Sequence, residues 1–158
     1  MIDIGDKAVD FTMDSTRGAF TLSERVKEGP VLLYFYVVNY GKTCTDYIET
    51  MNERADDFKR YNVLLVHINE DSVDNHRAWI EHTDSRFEHL SDKDMVVSKK
   101  YDAIIKQAKS EKLIGRVNRC FFLIDEDMTV RWAWRAEWPT DTVPMDEVFS
   151  ILEKEFGR

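Results

Sequence analysis

The chain is poor in the residues that punctuate or staple a fold. Of 158 residues, only three are proline, six glycine and two cysteine. Two cysteines without Cys-x-x-Cys spacing exclude a disulfide framework and suit a reducing compartment. The scarcity of proline and glycine leaves no visible linker, so residues 1–158 read as a single domain. Long apolar runs are also missing. The longest, Val31–Val38, is far too short to cross a bilayer, and Met1–Lys7 carries charges where a signal peptide needs an apolar core. The expected location is therefore cytoplasmic, with no membrane partner. Basic residues are outnumbered, 22 against 30 acidic, for a net charge of -8, which argues against nucleic acid as a partner. There is no glycine-rich phosphate loop and no Gly-x-Ser-x-Gly elbow. The four histidines, His67, His76, His82 and His89, lack metal-ligand spacing, and Asp125-Glu-Asp127 lacks the glycine and terminal glutamate of a calcium loop. No metal and no cofactor are expected.

What the chain does have is a cysteine in a telling place. Val31–Val38 is apolar on both faces, as a central strand covered on two sides would be. A short polar turn, 39–43, follows, and then a helical pattern with Cys44, Tyr47, Ile48, Met51, Ala55 and Phe58 on one face. Thr43 suits the N-cap, with Asp46 as the reciprocal partner of a capping box. The thiol then lies in the first turn of a helix, where free N–H groups and the helix dipole favour thiolate over thiol, and Lys42 adds a cation. The same placement also suits a cysteine acting simply as a small buried hydrophobe.

The remaining pattern alternates. Residues 1–29 read as an irregular arm with short extended pieces, a turn at Arg17-Gly18 and a short helix capped by Ser23. The helix from Thr43 runs to about Arg60, Asn62–Asn69 is a second buried strand, and Asp71 or Ser72 caps a helix to about His82. Phe87–Leu90 is a short strand, and a helix from Ser91-Asp92 reaches Tyr101. Residues 102–116 are mixed with helical propensity. Cys120–Ile124 is a third central strand, joined through a turn at Glu126-Asp127 to the strictly alternating Val130–Arg135. Trp132 and Trp134 share one face there, as core packing explains, while Trp138 is free to line a groove or a dimer contact. Pro144–Phe156 is an amphipathic helix. The order predicts an α/β fold with a central mixed sheet flanked by helices, built from parallel crossovers and one antiparallel edge. Reactive groups of such sheets gather beyond the carboxyl ends of the strands, where Cys44 falls.

Several segments resemble the peroxiredoxins in order and spacing: Ile4-Gly-Asp-Lys-Ala-Val-Asp-Phe-Thr12, Leu33-Tyr-Phe-Tyr36, Asn69-Glu-Asp-Ser72 with His76, Leu90-Ser-Asp92 with Val96 and Tyr101, and Arg119-Cys-Phe-Phe-Leu-Ile-Asp125. The resemblance implies a thioredoxin-like sandwich and a peroxide-reducing thiol at Cys44, with Arg119 stabilising the thiolate and the charge on the oxygens. It also implies a thiol reductant, either a thioredoxin-like protein or a low-molecular-weight thiol, and leaves open a homodimer. The family motif Pro-x-x-x-Thr-x-x-Cys, usually with Glu or Gln three residues on, is not intact. Val37, Gly41 and Tyr47 stand at those places. Gly41 then lies where the substrate-binding hydroxyl belongs, with Thr43 and Thr45 as candidates to replace it. Cys120 follows Arg119 on a strand, so it faces the opposite side and is not expected to resolve an oxidised Cys44. Three readings result: a one-cysteine thiol peroxidase; a redox sensor or binding module on the same fold that has lost peroxidase activity; and a disulfide oxidoreductase. The missing Cys-x-x-Cys disfavours the last, as does the lack of any proline between Pro30 and Pro139.

Overall fold

The computed structural model describes residues 1–157, except for the side chain of Thr43. In chain order the elements are β1 (Thr12–Ser15), β2 (Phe20–Thr21), α1 (Leu22–Arg25), β3 (Val31–Phe35), α2 (Lys42–Glu53), α3 (Ala55–Arg60), β4 (Leu64–Asn69), α4 (Val73–Thr83), β5 (Glu88–Ser91), α5 (Val96–Lys100), β6 (Cys120–Ile124), β7 (Val130–Arg135) and α6 (Met145–Phe156). They build one seven-stranded sheet in the order β2-β1-β5-β4-β3-β6-β7. The mixed sheet flanked by helices agrees with the expected fold class.

Strict alternation along the central strands divides the core into two layers. Val31, Leu33 and Phe35 of β3 join Cys120, Phe122 and Ile124 of β6 under the N-terminal arm, Val97 and Tyr101. Leu32, Tyr34 and Tyr36 join Phe121 and Leu123 beneath α2, α3 and α6, together with Cys44, Met51, Phe58, Val148 and Leu152. Trp132 packs in this second layer with Trp134 beside it, as their shared face implied. Trp138 is exposed.

The structure corrects the sequence reading at several places. β3 pairs parallel with β4, and β4 with β5, but β6 runs antiparallel to β3. Antiparallel pairing is therefore not confined to one edge. The strand ends at Phe35, so Tyr36–Val38 already belong to the turn before α2. The helix expected from Thr43 to Arg60 is broken at Arg54, whose φ of -104° and ψ of 12° lie outside the helical range. Segment 102–116 is mostly irregular. Its backbone is satisfied by bonds such as Ile105 N–H to Arg116 O at 2.8 Å and Gly115 N–H to Ile105 O at 2.9 Å, which outweigh its helical propensity. Ser23 does not cap the first helix; Thr21 precedes it, and Ser23 Oγ donates to Asp10 instead. Ser72 caps α4 as expected, accepting from Asn75 N–H at 3.1 Å.

Three histidines distant in sequence converge inside the fold. His67 on β4 stacks on His89 of β5 at 4.6 Å between ring centroids, and His76 of α4 lies 5.5 Å from His89. All three are buried, and both ring nitrogens of His67 lack a hydrogen-bond partner among the described residues. Burial, helped by the charge of His76, holds His67 down to about 3. Burial likewise lowers His76 to about 4, against the opposing pull of Asp71. His89 is also held well below its ordinary range by burial and by its two neighbours. Their folded-state affinity for protons is thus below the unfolded value of about 6.5. As pH falls from about 6.5 towards 4, the unfolded chain takes up protons that the folded chain refuses, and stability is lost. The loss reaches at most ~1.4 kcal/mol per histidine per pH unit. The urea midpoint should therefore drop between pH 7 and pH 5, and His67→Leu should drop less. An equal drop in both proteins would contradict the role of His67.

Candidate active site

Cys44 sits one turn into the second core layer. Gly41 is the N-cap of α2, with φ -68° and ψ 141°, and the first intrahelical bond runs from Thr45 N–H to Gly41 O at 2.9 Å. The amides of residues 42–44 precede that bond, so they have no intrahelical acceptor and leave the positive end of the helix at the sulfur. This corrects the expected cap. Thr43 lies within the first turn, Asp46 has no capping role opposite it, and the Thr43 side chain is outside the described residues.

Arg119 arrives from the other side. The antiparallel register pairs Phe35 with Cys120, so the residue before Cys120 stands beside the chain as it leaves β3. Arg119 is 5% exposed and Cys44 3%, and Arg119 Nη2 donates to Cys44 Sγ at 3.5 Å. Arg119 Nε has no acceptor among the described residues. The guanidinium lies over the Tyr47 ring, 5.5 Å from its centroid. Tyr47 thus supplies an aromatic face where the family pattern carries a carboxylate or amide, and its Oη accepts from Val143 N–H at 3.2 Å. Buried charges are normally matched by a counter-charge. Here the sulfur is the only hydrogen-bond partner of the guanidinium among the described residues.

The other expected site residues differ in what they offer. A Cβ added to Gly41 would stand 3.7 Å from Cys44 Sγ and 3.6 Å from Val38 Cγ1, both ordinary contacts. The position adjoins the sulfur and has room for a Cβ. Thr45 Oγ1 donates its proton to Gly41 O at 2.8 Å, which commits that hydroxyl to the helix start. Val37 is buried, consistent with a shield against solvent. Cys120 lies in the opposite layer, and burial pushes its thiol up to about 12. Among the described residues, no group of three or more His, Cys, Asp or Glu is arranged to hold a metal ion, and no helix is long and apolar enough to cross a membrane.

Sequence reasoning missed two parts of the site. One is Tyr34, hidden within an apolar run. Its hydroxyl is fully buried and makes no hydrogen bond among the described residues. Burial and the nearby Cys44 raise its ionisation far above the usual phenol range, while Arg119 opposes the shift. The other is the latch on the loop before α2. Asn39 accepts from Tyr36 Oη and, at 3.3 Å, from Asn69 Nδ2. Its own Nδ2 lies 2.7 Å from Asn75 Oδ1 and 3.0 Å from His76 Nδ1, and its backbone N–H donates to Asp71 Oδ2 at 2.9 Å. The only sequence signal for this latch was the polar run Asn69–Ser72 after a buried strand.

The sequence profile of the AhpC/TSA family matches residues 4–133. A peroxiredoxin of Thermoplasma volcanium is 33% identical over 135 residues, covering 82% of this chain and 63% of the relative. Peroxiredoxin 2 of Picrophilus torridus is 30% identical over 135 residues, covering 82% of this chain and 64% of its own. The chain thus spans somewhat less than two thirds of the length of these relatives. The solved structure of a cysteine-to-serine mutant of peroxiredoxin 6 from Arenicola marina superposes with a TM-score of 0.88 at 17% identity, over 97% of this chain and 73% of that one, which shows the same fold. With this profile and these relatives spread over most of its length, the chain belongs to the peroxiredoxin (AhpC/TSA) family, on a thioredoxin-like fold.

Proposed function

We propose that the protein is a one-cysteine thiol peroxidase, reducing hydrogen peroxide or a small organic hydroperoxide through Cys44. The observation that carries this reading is the buried contact from Arg119 Nη2 to Cys44 Sγ. A guanidinium keeps its charge and offers several donors from one plane. Next to the sulfur it balances an anionic nucleophile, and as the O–O bond breaks it stabilises the charge passing to the departing oxygen. The free amides at the start of α2 act in the same sense. Gly41 adjoins the sulfur, and Thr45 contributes through the helix start; the role of Thr43 expected from the sequence falls on a side chain outside the described residues. The sulfenic acid formed on Cys44 is returned to the thiol by an outside reductant, a thioredoxin-like protein or a low-molecular-weight thiol, in a reducing compartment such as the cytoplasm. One-cysteine chemistry is supported by the placement of Cys120 in the other layer, with a thiol that burial keeps protonated.

A second reading has one observation in its favour. No hydroxyl is present at Gly41, and that of Thr45 is committed to the Gly41 carbonyl. A redox sensor or binding module without turnover would tolerate both. Peroxide consumption with a dithiol reductant separates the two. The wild type should outpace a free thiol at the same pH, Cys44→Ser should abolish the difference, and Arg119→Ala should reduce the rate by about 100-fold. Gly41→Thr should raise the rate, because the position accepts a Cβ without a clash and adjoins the sulfur. A wild-type rate no faster than a free thiol, and unchanged in Cys44→Ser, leaves the second reading standing.

The cysteine count gives a separate prediction. Cys120→Ala should keep the peroxide rate within about twofold, and mass spectrometry of the oxidised wild type without reductant should show sulfenic acid on Cys44 and no Cys44–Cys120 disulfide. Such a disulfide would require the two layers to open, since its Cα atoms must come within about 7 Å.

A further inference from the structure

Two hydrogen-bond donors of the Cys44 layer have no acceptor among the described residues. Tyr34 Oη and Arg119 Nε are both sealed from solvent, and neither makes a hydrogen bond there. The Tyr34 ring is fully explained by packing. It stacks on Phe121 at 4.8 Å and on Tyr36 at 5.7 Å, and meets His67 edge-on at 5.3 Å. Phenylalanine would make all three contacts. The hydroxyl is not explained in this way, because a buried hydroxyl without a partner destabilises a fold. Strand register locates it. Tyr34 pairs with Phe121, one step from the Phe35–Cys120 pair, and so lies on the face that Arg119 enters. The charges of Cys44, Arg119 and Tyr47 reach the phenol, and the guanidinium is near enough to favour the phenol oxygen as a donor, which leaves the phenol's own proton without an acceptor among the described residues. An orphan hydroxyl and an orphan guanidinium N–H in one buried layer, beside a sulfur, await an acceptor brought from outside.

We propose that Tyr34 is a further catalytic residue, whose Oη–H, with the free Nε–H of Arg119, holds the oxygens of the peroxide against Cys44. It supplies the hydroxyl that Gly41 lacks and that Thr45 has committed elsewhere. This inference rests on the peroxidase reading. In the step itself, the Cys44 thiolate attacks the nearer peroxide oxygen. The S–O bond forms with the sulfur's electron pair, the O–O bond breaks, and its pair leaves on the farther oxygen. The sulfur is oxidised to sulfenic acid and the peroxide is reduced. The departing hydroxide or alkoxide takes its proton from solvent. Tyr34 keeps its own proton, since burial raises its ionisation far above neutral pH, and acts as a fixed donor to the charge that develops on oxygen.

Tyr34→Phe removes only the hydroxyl and keeps the ring stack, so one variant tests the inference. Three quantities are read on the reduced full-length protein: the second-order rate of Cys44 oxidation by hydrogen peroxide, the rate of its alkylation by iodoacetamide, and the thermal midpoint. Iodoacetamide reports the reactivity of the sulfur without any O–O bond. The expected result is a peroxide rate about 10- to 100-fold lower, constant between pH 6 and pH 9, an alkylation rate within about twofold, and a midpoint equal to or above that of the wild type. Three results would overturn the inference. A peroxide rate within about twofold of the wild type leaves the hydroxyl without a role. A parallel fall in alkylation places its effect on the sulfur alone. A clear fall in the midpoint shows a structural bond. A wild-type peroxide rate no faster than free cysteine is a different failure: it removes the peroxidase reading, and the inference with it, whatever the variant does.

Discussion

A buried guanidinium needs a partner, and the geometry of this protein follows from where that partner is supplied. Arg119 has one hydrogen-bond partner among the described residues, the Cys44 sulfur. Bringing the two together takes three separate elements. The antiparallel register of β3 and β6 delivers the arginine, the turn after β3 reverses the chain, and the start of α2 presents the thiol with its free amides. A one-residue slip of β6 would exchange Arg119 for Cys120 at the site and send the guanidinium into an apolar layer. Cys120–Ile124 is apolar on both faces, so the cost of that slip falls on Arg119 itself, whose charge would lose the sulfur and enter hydrocarbon. The register of the strand and the electrostatics of the site thus support one another.

The same alternation keeps the two cysteines apart. Cys44 belongs with Phe121 and Leu123, while Cys120 belongs with Phe122 and Ile124. The sheet between them is a continuous hydrogen-bonded layer, so it acts as an insulator between two thiols of opposite character. One faces a cation at a helix start; the other is deep in hydrocarbon.

Much of this was legible in the sequence because it rests on local pattern. The apolar runs around Leu33, Val66 and Phe122 had to be buried strands, and the alternation in Val130–Arg135 had to be a half-covered one. Ser72 marked its helix, and the adjacency of Arg119 and Cys120 already separated their faces. What could not be read depends on partners far away in the chain. Nothing in Cys120–Ile124 encodes its direction, which is set by how segment 102–119 returns to the sheet. Nothing at Arg54 announces a helix break. The histidines look like unrelated residues on a strand, a helix and another strand until the parallel pairing of β4 and β5 stacks them. Tyr34 reads as one more aromatic in a core run, because only its environment reveals that its hydroxyl is unpaired.

The latch at Asn39 has a direction. Its sense is set from two ends by main-chain groups whose roles are unambiguous. Asp71 N–H donates to Asn69 Oδ1, which turns the Asn69 amide nitrogen towards Asn39 Oδ1. Asn39 must then offer its own amide nitrogen to His76 Nδ1. From the opposite side, the Leu90 carbonyl can only accept, so it requires the proton on His76 Nε2 and leaves Nδ1 as a lone pair. Both ends demand the same tautomer of His76. The loop leading to the thiol is therefore held by a chain of donors and acceptors with a single polarity. An isosteric change within it, such as carboxylate for amide at Asn39, would not merely delete a bond but set two acceptors face to face.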